Sequence, residues 1–284
     1  AASDVYKRQT LPNPKLKVFP IREVADIGNE FNIPLIVDNT SAPVICKPIE
    51  HGASIVVHSL TKFIGGHGTT IGGIIVDSGK FDWAKDPKRQ PNLNGPDPSY
   101  HGMVWTEFEK AVGPIAYIVR ARFVGLRDLG PALSPTNAFQ IIQGLETVTL
   151  RMEKHCSNAA KVAEYLSSHE KVSRVIYAGL DEGEAGVRAN KYLKGGHGAL
   201  CGFELKGGKP SGEKFINNLN MFYHVANIGD ARSLAIHPAT TTHSQLSDED
   251  MQSAGVNPSY VRLSIGIEHI DDIIEDLKNA LEAA

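Results

Sequence analysis

The feature that most constrains the fold is a set of short apolar runs near the start of the chain. The clearest run covers residues 34–38 (PLIVD), and similar runs cover residues 53–57 and 73–76. A strand that is apolar along nearly its whole length is typical of a parallel sheet with both faces covered. A helical pattern at residues 20–31 precedes the first run. Alternating strands and helices therefore predict a layered α/β fold.

Helical patterns replace the strands in the middle of the chain. We expect one more short strand at residues 16–19 and a proline-rich loop at residues 79–102. Helices are predicted at about residues 103–127 and 135–168. The second is longer than an average helix and contains Gly144, so we expect a kink in it.

Short strands alternate with short helices in the last part of the chain. The predicted strands cover residues 172–177, 199–205, 223–228 and 260–265. A helix with one apolar face follows from residue 270. This pattern is typical of a smaller α+β domain.

Composition and charge argue against several classes of function. The 284 residues carry a formal net charge of −3, without a broad basic field that would hold nucleic acid or anionic lipid. No apolar run approaches the length of a membrane span. The three cysteines, Cys46, Cys156 and Cys201, form neither a metal-binding pattern nor a disulfide framework, so we expect a cytoplasmic location.

Two charged residues follow the predicted strands, where open α/β sheets bind ligands. Asp38 ends the first apolar run, and Lys62 follows the second. Neighbouring parallel strands end at one edge of the sheet, so we expect both side chains to face the same crevice. A lone aspartate is often only a cap for the next turn, and the two residues could form a structural salt bridge. They could also hold the two ends of one cofactor.

The stretch HSLTKFIGGHG around Lys62 favours a phosphate-bearing cofactor. Ser59 and Thr61 offer hydroxyls, and backbone N–H groups at a strand exit suit an anion. A nucleotide P-loop has its glycines before the lysine, whereas here they follow it. Pyridoxal phosphate combines a phosphate, a cationic ring nitrogen and an aldehyde that forms a Schiff base with lysine. Burial of Lys62 would lower its pKa and make the free amine available.

Three sequence blocks, VDNT, HSLTKFIGGHG and SLAIHPATTTHSQL, resemble the Cys/Met-metabolism family of pyridoxal-phosphate enzymes. The resemblance covers nearly everything from Thr10 onward. It implies an α/β fold of the type I pyridoxal-phosphate transferase class, similar to aspartate aminotransferase. That fold has a large, mainly parallel sheet domain and a smaller α+β C-terminal domain. Residues 10–155 would be the C-terminal part of the large domain, and residues 156–284 the small domain.

The start of the chain departs from the family pattern. Residues 1–9 (AASDVYKRQ) show no helical or strand period, and we expect them to be a non-native leader. Gln9 stands where the family usually has an acidic residue. Family members carry an N-terminal section that is absent from this sequence, so we expect a fragment that could be inactive and act only as a binding module.

The resemblance assigns cofactor roles to five residues. Lys62 corresponds to the Schiff-base lysine and Asp38 to the partner of the pyridinium nitrogen. Ser59 and Thr61 correspond to phosphate ligands. Asn13, in LPNP, corresponds to the residue that hydrogen-bonds the ring hydroxyl.

The resemblance also assigns two substrate-binding residues. Arg262 corresponds to the anchor of the substrate carboxylate, for which its planar fork is suited. Ser233 corresponds to a serine of the same carboxylate site. From the residues alone, a helix cap for Ser233 would be preferred. His237 and His243 resemble a metal pair, but no third ligand is present and no metal is expected.

The loop NLNGPDPSYHG, the helix LSPTNAFQIIQGLETVTLRMEKH and the HSQL tetrapeptide resemble the sulfhydrylase branch of the family. This implies γ-replacement on O-acetylhomoserine by sulfide or methanethiol, giving homocysteine or methionine and acetate. The alternative within the family is γ-elimination to an α-keto acid and ammonia. The partners implied are small-molecule substrates, with a homo-oligomer, a dimer or tetramer, for the full-length form.

Overall fold

A mainly parallel sheet forms the first part of the fold. The structure is a computed structural model that describes residues 6–12, 16–242, 244–245 and 257–284. In this described part the sheet has the order β1 (Tyr6–Gln9), β2 (Leu35–Asp38), β3 (Ile55–Ser59) and β4 (Gly73–Asp77). The first three strands are parallel, and β4 is antiparallel to β3. The three predicted apolar strands are thus confirmed within two residues at each end.

Two predictions for the start of the chain are wrong. We expect no strand in residues 1–9, yet Tyr6–Gln9 forms β1, and Gln9 pairs with Asp38 of β2. An edge strand of polar residues lacks the alternation by which strands are recognised. The strand predicted at residues 16–19 is absent from the structure. Leu16 has a φ of 49°, a left-handed conformation that interrupts an extended chain.

A second sheet of five described strands follows. Its order is β5 (Val172–Ile176), β6 (Leu200–Leu205), β9 (Tyr260–Ser264), β8 (Leu234–Ile236) and β7 (Tyr223–His224). Only β7 and β8 are paired in parallel. The predicted strand at residues 223–228 is reduced to two residues, and β8 was not predicted because three residues are too few to show a period.

Helices cover and connect the two sheets. They are α1 (Ile21–Glu30), α2 (Pro91–Asn94), α3 (Glu109–Val112), α4 (Ala116–Arg120), α5 (Pro135–Glu146), α6 (Val148–Ser168), α7 (Gly183–Tyr192), α8 (Gly208–Asn217) and α9 (Ile270–Ala283). A π-helical segment, Ala121–Asp128, continues α4. Short 3₁₀ helices cover Pro48–His51, Pro98–Tyr100, Trp105–Phe108, Ala178–Leu180 and Pro238–Thr240.

The two long helical patterns of the sequence are both interrupted. The prediction of one helix at 103–127 is wrong, because Gly113 adopts a φ of 84° and ends α3. The predicted kink of the 135–168 helix is confirmed, since Thr147 separates α5 from α6. No helix in the described ranges has the length and apolar character that crossing a membrane requires.

Helix α6 contributes side chains to the buried cores of both sheets. Its first half places Val148 and Met152 in the core beneath the first sheet. Its second half places Val162 and Leu166 in the core of the second sheet. Both sheets are therefore packed against one continuous helix, so the position of each sheet depends on it.

The buried carboxylate of Asp276 on α9 should stabilise the second part of the fold. It accepts hydrogen bonds from the backbone N–H groups of Asn220 (2.8 Å), Met221 (3.0 Å) and Phe222 (3.3 Å). Asp276→Ala removes both carboxylate oxygens and with them all three hydrogen bonds, so we expect a loss of about 2–3 kcal/mol in the free energy of unfolding. Urea titration measures it. The exposed neighbour Glu275 gives the control, because Glu275→Ala should change stability by no more than about 0.5 kcal/mol. Equal losses in the two variants would contradict this role.

Candidate active site

The site lies at the edge of the first sheet where β2 and β3 end. Asp38 is the last residue of β2, and Ser59 is the last residue of β3. Lys62 follows in a turn closed by hydrogen bonds from Lys62 N to Ser59 O (3.3 Å) and from Gly66 N to Lys62 O (2.7 Å). Because β2 and β3 are parallel, Asp38 and Lys62 are brought to the same edge.

The amine of Lys62 is half-buried and makes a specific contact. Its Nζ donates a hydrogen bond to Oδ1 of Asn227. Burial, and secondarily the positive charge of Arg262, lower the pKa of Lys62 below its usual range. A larger fraction of the side chain is therefore the neutral amine, which is the form that acts as nucleophile or base.

Asn227 also contacts the guanidinium of Arg262. Nη2 of Arg262 donates to the backbone carbonyl of Asn227 over 2.9 Å, and the arginine is buried. Asn227 thus joins Lys62, from the first sheet, to Arg262 on β9 of the second sheet. Asn227 was not predicted from the sequence. A loop asparagine has no periodic signal, and its two partners are 165 and 35 positions away in the chain.

Asp38 is half-buried and has a partly structural role. Its Oδ1 accepts a hydrogen bond of 3.0 Å from the backbone N–H of Thr40, which is the turn-capping role left open above. Its charge acts on His58, whose pKa is lowered by burial and raised in part by Asp38. Within the part of the chain that the structure describes, the Lys62 amine donates its hydrogen bond to Asn227.

The two hydroxyl residues lie on either side of Leu60 in the same turn. The N–H of Ser59 donates to Oγ1 of Thr40 (2.8 Å), and Oγ1 of Thr61 accepts from the N–H of Gly72 (3.1 Å). The Thr61 hydroxyl hydrogen is not used in that bond, so it can be donated to an acceptor. Both side chains are half-buried next to the turn that carries Lys62.

Ser233 is fully buried and is bound by its own chain. Its hydroxyl donates to Oε2 of Glu268 (2.9 Å) and accepts from the N–H of Gly266 (2.9 Å). Its backbone N–H donates to Oε1 of the same glutamate (2.6 Å). These contacts hold the segment that follows Arg262, whereas Asn227 provides the direct contact with the arginine.

Two residues of the sequence analysis, Asn13 and His243, lie outside the described residues. Nδ1 of His237 contacts the Thr240 hydroxyl (3.0 Å), and Nε2 contacts the carbonyl of Pro258 (2.8 Å). Among the residues that the structure describes, no group of three or more metal-binding side chains is found.

The chemistry of these groups fits pyridoxal phosphate. An amine of lowered pKa can bind an aldehyde, the carboxylate of Asp38 can pair with a ring nitrogen, and the hydroxyls of Ser59 and Thr61 can bind a phosphate. Nε of Arg262 is buried without a hydrogen-bond partner in the described ranges. The guanidinium therefore has a donor that the described part of the chain does not use.

Comparison with known families gives one match along nearly the whole chain. A family model described as "Cys/Met metabolism PLP-dependent enzyme" matches residues 5–282. An O-acetyl-L-homoserine sulfhydrylase of Leptospira meyeri is 53% identical over 284 residues, covering 98% of this chain and 64% of that protein. A homocysteine synthase of Schizosaccharomyces pombe is 49% identical over 278 residues, covering 97% of this chain and 64% of that protein. The chain thus spans about 64% of the length of these curated relatives.

A solved structure is also similar. A putative O-acetylhomoserine (thiol)-lyase from Campylobacter jejuni superposes with a TM-score of 0.89 at 38% identity. The superposition covers 98% of this chain and 66% of that one. The Campylobacter protein carries a pyridoxyl-lysine monophosphate.

Neutralising Arg262 should raise the pKa of Lys62, because the charge of Arg262 disfavours the ammonium form. In Arg262→Gln, labelling of Lys62 by an amine-reactive reagent should require a higher pH than in the wild type. Mass spectrometry of the labelled peptide over a pH series measures this. Arg174, exposed on β5 of the same sheet, provides the control variant Arg174→Gln, which should leave the profile unchanged. A profile that stays in place in Arg262→Gln would show that the two charges do not interact.

Proposed function

Because the chain belongs to the Cys/Met metabolism PLP-dependent enzyme family, we propose that it holds pyridoxal phosphate on Lys62 and that the protein transfers the aminocarboxypropyl group of O-acetylhomoserine to sulfide or methanethiol. The observation that carries the proposal is the connection of Lys62 to Arg262 through Asn227. A reactive amine beside a buried guanidinium suits an amino acid that is bound by its carboxylate. The names of the curated relatives support this choice of substrates.

Five residues would hold the cofactor. Lys62 would bind its aldehyde carbon, and Asp38 would pair with its ring nitrogen. Ser59 and Thr61 would bind its phosphate, and the contact of Asn13 with the ring hydroxyl stays a prediction from sequence. When bound, pyridoxal phosphate supplies an electron-withdrawing ring that stabilises negative charge at the Cα of an amino acid.

Arg262 would bind the substrate carboxylate. Its contact with the carbonyl of Asn227 holds one side of the guanidinium and so gives the rest of the fork a fixed direction. Ser233 would contribute to this site through Glu268 and Gly266, which it fixes in place. A carboxylate held in this way presents the Cα–H bond in one orientation toward Lys62.

Lys62 would move the protons of the reaction. Once the substrate amine has freed it, Lys62 would take a proton from Cα as the neutral amine that its lowered pKa favours. After passing that proton on, it would take a second proton from Cβ of the bound amino acid. Loss of these protons allows acetate to leave from Cγ. Sulfide then forms a bond to Cγ and the protons are returned, which gives homocysteine and acetate. Methanethiol would give methionine in the same way.

We propose a domain boundary close to residue 156 and a dimer or tetramer for the full-length protein. Support for the boundary comes from α6, where Cys156 packs into the first core and Ala159 into the second. Support for an oligomer comes from exposed apolar residues on β4, such as Ile74 and Ile75. The proposal of a cytoplasmic location rests on the cysteines, since those described are buried and unpaired.

Cofactor binding by the chain tests the proposed role of Lys62. The chain is incubated with pyridoxal phosphate, reduced with borohydride and digested, and mass spectrometry locates the pyridoxyl group. We expect it on Lys62 in the wild type and expect its loss in Lys62→Ala. The control Lys80→Ala, at an exposed lysine, should leave the adduct on Lys62. A pyridoxyl group spread over surface lysines, or unchanged by Lys62→Ala, would contradict the proposal.

The products decide between replacement and elimination. The chain, and the full-length protein that contains it, are incubated with O-acetylhomoserine, sulfide and pyridoxal phosphate. We expect homocysteine and acetate in equal amounts from whichever of the two proteins is active. An α-keto acid and ammonia in place of homocysteine would show that γ-elimination is the reaction instead.

A further inference from the structure

Three polar side chains on one face of α6 are buried to an unusual degree. Arg151 is 6% exposed, His155 0% and Asn158 1%. Their spacing of four and three residues places them on one face of the helix, one above the next. Charged side chains are rarely buried unless they are fully hydrogen-bonded, so this polar stripe, Arg151, His155 and Asn158, requires an explanation.

Arg151 binds the backbone immediately after Lys62. Its Nη1 donates to the carbonyl of Phe63 (2.6 Å), and its Nη2 donates to the carbonyl of Ile64 (2.9 Å). Nη2 also donates to the carbonyl of Gly144 at the end of α5 (2.6 Å). A planar fork with several donors can hold carbonyl groups that lie in different directions. Arg151 therefore fixes the turn that carries Lys62 to the joint between α5 and α6.

Glycines make this close approach possible. A Cβ added to Gly66 would overlap Nη1 of Arg151, and Gly66 has a φ of 78°. A Cβ added to Gly144 would overlap the carbonyl of Gly65. Gly66 therefore allows Arg151 to approach the turn after Lys62, and Gly144 allows the end of α5 to approach the same turn.

The other two residues of the stripe bind the segment that follows Arg262. The ring Nδ1 of His155 is 2.7 Å from the carbonyl of Ile265, which requires that it donates. Nδ2 of Asn158 donates to the carbonyls of Gly266 (3.1 Å) and Glu268 (2.9 Å). The polar stripe thus binds the backbone that follows Lys62 and the backbone that follows Arg262.

The two held segments are also joined to each other. The His155 ring packs edge-on against Phe63, with ring centroids 5.3 Å apart. Ala231 N donates to the carbonyl of Gly66 (2.8 Å), and its own carbonyl accepts from the N–H of Ile267 (2.8 Å). Lys62 lies in the turn after the first sheet and Arg262 lies in the second sheet, so their separation is set by contacts of this kind rather than by a shared β-ladder.

We propose that the α6 polar stripe is a set of positioning residues that fixes the distance and direction between the amine of Lys62 and the guanidinium of Arg262. The proposal rests on the proposed functions of these two residues. Arg151 holds the segment after Lys62, Asn158 holds the segment after Arg262, and His155 contacts both. The helix backbone between them, less than two turns from Arg151 to Asn158, is the rigid spacer.

The test measures the environment of Lys62 in variants of near-equal shape. Arg151→Met and Asn158→Leu remove the donors and keep most of the volume. Release of either segment should give Lys62 more water or move Arg262 away from it, and both changes raise the pKa of Lys62. The readout is the labelling rate of Lys62 at about pH 8, relative to its limiting rate at high pH. We expect this ratio to fall by about threefold or more in each variant.

A control of matched stability separates positioning from general stabilisation. Asp276→Ala also removes buried hydrogen bonds of the second core, but its contacts at residues 220–222 are not part of either held segment. It should leave the labelling ratio unchanged at a similar loss in urea midpoint. If Arg151→Met does not fold, Arg151→Lys keeps the charge without the planar fork and should change the ratio in the same direction.

The labelling ratios test the role of the polar stripe whether or not the chain binds the cofactor. Unchanged ratios in the stripe variants, or an equal change in Asp276→Ala, would overturn the proposal. Labelling requires neither pyridoxal phosphate nor turnover, so a failed cofactor experiment does not affect this result. If the ratios change but pyridoxal phosphate does not modify Lys62, the stripe positions the two cations and the proposed function is wrong.

Discussion

The hydrogen bonds of Asn227 are the contacts on which the rest of the site depends. They join the amine of Lys62, in the turn after β3 of the first sheet, to the guanidinium of Arg262 on β9 of the second sheet. Without this connection, the first sheet would offer an amine and a carboxylate, and the second a buried arginine. With it, one region contains groups for an aldehyde, a ring nitrogen, a phosphate and a carboxylate.

Holding two cations near each other has an electrostatic cost that explains the properties of the site. Burial and the charge of Arg262 both lower the pKa of Lys62, and burial lowers the pKa of Arg262 as well. A ligand that brings a phosphate and a carboxylate would relieve this repulsion, because each anion favours the charged form of a nearby cation. The same positive region therefore favours anionic ligands and keeps part of Lys62 neutral for chemistry.

Some elements of this structure could be predicted from the sequence because their signal is local. The apolar runs that became β2, β3 and β4 indicate a covered sheet, and the position of Lys62 after β3 follows from them. The strand β1 was missed because a polar edge strand is recognisable only by its partner, β2.

The contacts that assemble the site could not be predicted, because they join distant parts of the chain. Asn227 is one residue of a loop, and Arg151 stands in a helical pattern where an arginine usually indicates a solvated face. Ser233 was assigned from a motif, yet its hydroxyl binds Glu268, 35 positions further along. Each of these roles depends on how the two sheets pack against α6, which local periodicity does not encode.

A crystal structure of the chain grown with pyridoxal phosphate and an amino-acid carboxylate ligand would show whether Lys62 and Arg262 form one site. We expect a covalent bond between Lys62 Nζ and the cofactor, with the Asp38 carboxylate at the ring nitrogen. We also expect the guanidinium of Arg262 to bind the ligand carboxylate while its other side still contacts Asn227. Cofactor bound elsewhere, or a carboxylate held away from Arg262, would show that these residues do not form one site.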